Sequence, residues 1–522
     1  MKSLIALTLF AFGLSAAEEP VALYPGMGIW THPIATTNPA AQKFFDQGLA
    51  LMYGFNRPEA LRSFRKVSEL DPKAAMAQWG ISMALGPYVN MDLDPDVHLP
   101  EACAAAKAGL ALARTSEKPW LEAAAARCPD YSDAAKYTAA AQALAKIYPD
   151  DPDAQTLYAE SLLLPVRWRW YGADGKPAAG VEEAEHVLEG VLRRFPNHPG
   201  ANHLYIHAVE SSPEPERAIP SSQRLMGLIP AAGHLVHMPG HIWLVMGDYK
   251  TAVDVNERAA QVDREYFAKT GEMGSYYMYY LHNLQFIVYG RSMQGRVADT
   301  RKAVAQLQNA ARPMVKMMPE MADVFDTVAA LSWLRVGAWD EVMGAGKPSS
   351  DSAMGLAFWH FSRGIALAAR QSAEANHEQT AFEAARAKVD RNALWGNNKI
   401  GPVLDLAAET LSARCAASPA EALRHWRKAV EIQDGLVYDE PPAWYYPLRE
   451  SLGAALLQGG DAPAAEAVFR EGVRRSPRNG RMLFGLRESL KAQGKTEAAS
   501  WVDREYKAAW DGADLVLRLE EF

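Results

Sequence analysis

His203 and His237 stand 34 residues apart, and so do His207 and His241. Within each half of this pattern the spacing is i, i+4, so two imidazoles share one face of one helix. Packed helices lie roughly 8–10 Å apart, and facing side chains from two of them can reach a common point. Imidazole is the commonest nitrogen ligand, and paired histidines on helices bring two donors to one ion. Such a set suits Zn, Cu, Fe or Ni far better than Mg or Ca. Six of the thirteen histidines fall within residues 198–241, where even spreading would place about one. The isolated His32, His186, His360, His377 and His425 read instead as surface or satisfied core residues.

A period of 34 residues is the length of a helix–turn–helix unit that stacks on copies of itself. Counting from Ala41, such a unit would hold Gly48, Ala60, Phe64 and Pro72 at its landmark positions. Counting from Tyr446 gives Gly453, Gly460, Ala465, Phe469 and Pro477, and the next unit follows with Gly494 and Ala499. Between them, 199–232 carries Ala218 and Pro230, and 233–266 carries Gly247 and Ala252. No run of alternating apolar residues demands a strand.

Four blocks carry a resemblance: FDQGLALMYGFNRPEALRSF (45–64), HPGANHLYIHAVESSPEPERAIPSS (198–222), AAGHLVHMPGHIWLVMGDY (231–249) and YDEPPAWYYPLRESLGAALL (438–457). Through them the chain resembles the tetratricopeptide-repeat superfamily over most of its length. More narrowly it is similar to a group of exported bacterial repeat proteins that share the AGHLVHMPxH and DEPPxW blocks. The resemblance implies an all-α superhelical solenoid, with positions 2, 5, 9, 12 and 13 of each first helix lining a concave groove. With Pro199 and Gly233 as position 1, His203 and His237 take position 5, and His207 and His241 take position 9. His234 then falls at position 2 and Glu210 at position 12. The next unit would present His282, Gln285 and Tyr289, and the preceding helix Glu160.

Two readings follow for the groove. In the first, His203, His207, His237 and His241 hold a metal, with His234 and His282 behind them or forming a second site. Glu210 or Glu160 would serve as carboxylate ligand or general base. Four histidines would close a structural site, whereas three with Glu210 would leave a position for water and permit chemistry. Export without cysteine ligands points to zinc or copper. In the second reading the groove is metal-free, and the histidines hydrogen-bond a peptide, a partner protein or a small ligand.

Several segments would shape access. Pro239 must kink its helix or begin a new one, re-aiming His234 and His237 relative to His241. Residues 165–180 break helical periodicity with Gly, Pro and aromatics, as a lid over the histidines or a capped surface insertion would. In 436–446 the pair Pro441-Pro442 forbids helix and fixes an acidic turn around Asp439 and Glu440. Tyr276, Tyr277, Tyr279 and Tyr280 are expected between helices, with one or two facing a ligand as the lesser alternative.

Composition bounds the rest. At 522 residues with a net charge of −8 and no dense Lys/Arg run, nucleic acid is not an expected partner. Residues 1–17 read as a secretory signal cleaved before Glu18, because Leu4 to Leu14 is too short to span a bilayer. The mature protein is expected to be periplasmic or secreted, without a membrane span. An extension over 18–40 would precede one repeat array over 41–310 and a second over 311–522. Cys103 and Cys128 would either bridge adjacent helices or remain buried thiols with Cys415. HExxH, GxSxG, CxxC and a phosphate loop are all missing; GAGKPSS (344–350) places Pro348 where the last would need a hydroxyl.

Overall fold

The computed structural model describes residues 21–90, 98–271, 274–349 and 351–522. The expected signal segment lies outside them. The fold is all-α and built from helix–turn–helix pairs of the tetratricopeptide kind. Among the described residues the only strands are Leu394–Trp395 and Asn398–Lys399, a two-residue antiparallel pair.

The chain divides into two compact units, one of residues 1–242 and 257–280, the other of 243–256 and 281–522. In the first, Pro39–Tyr53 packs on Arg57–Leu70, and that helix on Ala75–Ala84. Caps set these boundaries. Asn38, Asn56 and Asp151 each accept first-turn N–H groups ahead of a proline near the helix start, where its missing N–H costs nothing.

The repeat is visible in its packing. The Phe64 ring fits between Gly48 of its own unit and Gly80 of the next, and a Cβ at either would strike it. In the second unit the Phe469 ring sits the same way between Gly453 and Gly485. The glycines are spaced identically at the two ends of the sequence, so one helix-pair geometry recurs.

The second unit continues with Ala353–Ala369 against Ala375–Arg386 and Ile400–Cys415 against Pro419–Asp434. Residues 436–446 are non-helical, as the paired prolines require, and dock on the short strand pair. Trp395 donates to the Ala443 carbonyl at 3.0 Å, and the Asn397 N–H donates to Asp439 at 2.9 Å. Burial pushes the Asp439 carboxyl up to about 7. Cys103 and Cys128 form a disulfide. No helix of the described residues is long and apolar enough to cross a membrane.

Candidate metal centre

The centre belongs to the first unit and starts from the helix Pro199–Val209, which carries His203 and His207. His198 caps that helix, its Nδ1 accepting the Ala201 N–H at 2.9 Å. The proton must then sit on Nε2, which donates to Asp153 at 2.9 Å. Asp153 also takes His32 Nδ1 at 2.9 Å and the Tyr53 hydroxyl at 2.6 Å. Burial alone would raise this carboxyl, but His198 and His32 outweigh it and hold it far below the usual range. His32, read from sequence as a surface or satisfied core residue, is the latter.

Tyr53 ends the helix Pro39–Tyr53, so its carbonyl lacks an intrahelical partner. The Nδ1–H of His203 supplies one at 2.5 Å. Gly200 lets the Tyr53 ring lie against the histidine-bearing helix, since a Cβ there would meet it. One residue thus ties the buried Asp153 network to the orientation of His203.

The second histidine-bearing segment is broken at Met238, as Pro239 demands. Gly233–His237 is one short helix, and Pro239–Val245 begins another with proline in its first position. His234 and His237 stand on the first piece and His241 on the second. Five imidazoles then close a ring. Neighbouring centroids are separated by 4.9 Å (His203–His207), 5.7 Å (His207–His241), 4.6 Å (His241–His237), 5.6 Å (His237–His234) and 5.0 Å (His234–His203). All five are buried.

Within the ring, His203, His207 and His234 each offer a nitrogen, and these atoms lie within 4.8 Å of one another. His237 and His241 instead face each other, Nε2 to Nε2 at 2.6 Å. Glu210 stands behind the ring. Its Oε1 accepts from His207 Nδ1 at 2.9 Å and its Oε2 from His241 Nδ1 at 2.5 Å. A carboxylate or carbonyl on Nδ1 fixes the tautomer and leaves Nε2 with its lone pair for an ion. His203 and His207 both have this arrangement.

Electrostatics agree with neutral ligands. Burial, followed by the nearby His207, holds His203 well below the ordinary imidazole range. Burial, followed by the other ring histidines, does the same to His234. Among the described residues, His203 Nε2 and both His234 ring nitrogens are buried without a hydrogen-bond partner. An unsatisfied buried polar group costs about 1–3 kcal/mol, so these atoms need an explanation. A cation bound by the three imidazoles would take His203 Nε2 and one of the two His234 nitrogens.

Aromatic rings wall the centre. Phe55 lies 4.4 Å from His203 and stacks on His234 at 5.1 Å. Tyr279 lies 4.5 Å from His234, which gives one of the four clustered tyrosines a place against the histidines. Trp168 and Trp170 both approach His207 to 5.8 Å. They bring the 165–180 segment over the ring as an ordered cover, pinned by the Tyr171–Pro177 bridge. Phe55 and Trp168 have φ of 55° and 59°. Bulky residues in the left-handed region cost of order 1–3 kcal/mol each, and such strain clusters at functional sites.

Two candidates remain. Glu160 is buried on Pro152–Leu163, where its charge acts on the Arg57 guanidinium. His282 belongs to the second unit, half-buried, its ring edge-on to Phe286 at 4.9 Å. Sequence reasoning missed Asp153, Tyr53, Phe55 and the role of His198. Only His198 left a trace there, as part of the dense histidine stretch.

No family model matches the chain, and no curated protein does. Among solved structures it is similar to the human IFIT1 dimer with m7Gppp-AAAA, at 12% identity over 92% of each chain with a TM-score of 0.36. It is also similar to the APC/C hetero-tetramer Cut9-Hcn1, at 12% identity over 93% of this chain and 77% of that one, TM-score 0.32. Likenesses of this size say nothing about ligands.

Proposed function

We propose that this chain is an exported metalloprotein in which a helical-repeat scaffold holds a transition-metal ion, zinc or copper, on His203, His207 and His234. The observation that carries the reading is the orphaned nitrogen set: buried, neutral imidazoles without hydrogen-bond partners at His203 Nε2 and on the His234 ring. Tyr53 and Glu210 orient His203 and His207 by taking their Nδ1 protons. The His237–His241 pair adjoins the triad and shares Glu210 with it. Three imidazoles hold an ion while leaving a coordination position open, and an ion so held supplies Lewis-acid chemistry to a small or peptide substrate.

Export is supported by the apolar opening segment and by the Cys103–Cys128 bridge, a bond that persists in oxidising compartments. Residues 1–17 would be removed on the way.

Calorimetric titration of chelator-treated protein with zinc and with copper(II) tests the reading. The wild-type chain should take up about one equivalent, and His203→Ala/His207→Ala/His234→Ala none, with helical content unchanged. A wild-type chain that binds neither ion at micromolar concentration, yet retains a peptide or protein partner, would return the histidines to a metal-free groove.

A further inference from the structure

We propose that Arg57 and Arg127 form a carboxylate-binding site beside the metal centre, and that the carboxylate it takes belongs to the centre's substrate. That last assignment rests on the metalloprotein reading above, whereas the site stands on its own geometry. Arg57 opens the helix Arg57–Leu70, and Arg127 follows the helix Lys118–Ala125. Their side chains meet at Met83. Arg57 Nη1 donates to its carbonyl, and Arg127 Nη1 lies 3.1 Å from its sulfur. Arg127 Nη2 donates to the Pro87 carbonyl. Gly86 makes room for this, because a Cβ there would strike Arg127 Nη1 and the Tyr131 hydroxyl.

Closing the end of a helix does not require two buried cations. Arg57 is 4% exposed and Arg127 2%. Burial and, further back, the Arg127 charge hold the Arg57 guanidinium below its ordinary range, and Glu160 is the carboxylate that opposes them. Two guanidiniums thus share one acid, and a buried charge without its counterpart is costly. Three donors are also left over. The Nε–H of Arg57, the Nε–H of Arg127 and the Tyr131 hydroxyl are buried without a hydrogen-bond partner. Tyr131 is held at a φ of 57°, a strained backbone of the kind that clusters at functional sites. Surplus positive charge and unmet donors at one place specify an anion.

The surroundings specify an organic carboxylate. The Arg57 guanidinium lies 4.2 Å over the Tyr88 ring, and that of Arg127 lies 4.4 Å over Tyr131. Aromatic faces cover the guanidinium planes, so only their N–H edges are offered, and a planar carboxylate matches such edges. Tyr88 also links the site to the triad. Its ring lies 4.9 Å from Phe55 and its hydroxyl 3.1 Å from that of Tyr279, the two rings set against His203 and His234. The 165–180 cover reaches the same place, where Arg167 Nη1 donates to the Tyr88 carbonyl at 3.1 Å. Carboxylate site and triad therefore share an aromatic wall and one cover.

Benzoate titrated calorimetrically into the chelator-treated full chain tests the site, with no zinc present to coordinate the probe. Benzamide is the neutral counterpart and inorganic phosphate the competing anion. One benzoate per chain is expected, at least about tenfold tighter than either. Arg127→Gln, which removes a charge, and Arg57→Lys, which keeps the charge and loses the Nε donor, should each weaken benzoate by about tenfold or more. Arg57→Lys carries the test should Arg127→Gln fail to fold. Zinc uptake by the wild type, read in its own titration, decides the metal centre separately. The site is overturned if benzoate does not bind, if benzamide or phosphate binds equally well, or if either folded variant keeps wild-type benzoate affinity. A zinc-loaded chain should hold benzoate at least as tightly as the metal-free one, and weaker binding would overturn the assignment to substrate.

Discussion

Glu210 accepts the Nδ1–H of His207 at 2.9 Å from one helical turn away, and its second oxygen accepts from His241 across the break at Met238. The carboxylate therefore holds two imidazoles of the ring at once and acts on an ion through them. Glu210→Gln keeps one acceptor and turns the other into a donor, so one imidazole loses its fixed tautomer. Partners behind metal-ligating histidines are worth 10–100-fold in affinity, and a loss of about that size is expected by chelator competition. Unchanged affinity would remove Glu210 from the account.

The metal-free protein should be acid-sensitive. His203 and His234 are held neutral in the fold, chiefly by burial, while in the unfolded chain they titrate near an ordinary pKa of about 6.5. Below that pH the unfolded state binds protons that the folded state refuses, so stability falls as pH falls; above about pH 7 the effect vanishes. Two such groups give a slope of up to about 2.7 kcal/mol per pH unit. Urea unfolding between pH 5 and pH 8 measures it, and His203→Gln/His234→Gln should flatten the curve.

Asp153 anchors the histidine-bearing helix from a distance. It collects His198, His32 and Tyr53 in one buried cluster. Asp153→Asn leaves one acceptor for several donors and should cost about 3 kcal/mol of stability. Zinc affinity should fall with it, because Tyr53 also orients His203. A variant as stable as wild type in denaturant would show that the network is not what holds this helix.

Reduction of the Cys103–Cys128 bridge, which closes a segment with a sequence separation of 25, should destabilise the first unit by roughly 2–4 kcal/mol. Thermal melts with and without a reductant read this directly.

The histidine ring was legible in the sequence because its members come from two segments with a visible period. Phe64 with Gly48, and Phe469 with Gly453, announced the repeat for the same reason. Glu210 and His234 were placed on the right face, yet a one-dimensional pattern does not say which of two neighbours stands in front. Glu210 turns both oxygens to imidazole N–H groups, so it backs the ring, while His234 sits beside His203 and His207. Tyr53 and Asp153 were out of reach. Tyr53 meets His203 over a sequence separation of 150 and Asp153 meets the capping His198 over 45, through a backbone carbonyl and a buried carboxylate that no local motif marks. Phe55 and Trp168 were hidden too, since left-handed backbone at a bulky residue is imposed by its surroundings and not by its own preference.

X-ray absorption at the metal edge of the zinc- or copper-loaded protein tests the central claim most directly. Three imidazole nitrogens at about 2.0 Å should surround the ion, and His203→Ala/His234→Ala should lose that signature while the helices persist. An ion ringed by oxygen alone, or an imidazole shell that survives the double substitution, would contradict the assignment of His203, His207 and His234 as its ligands.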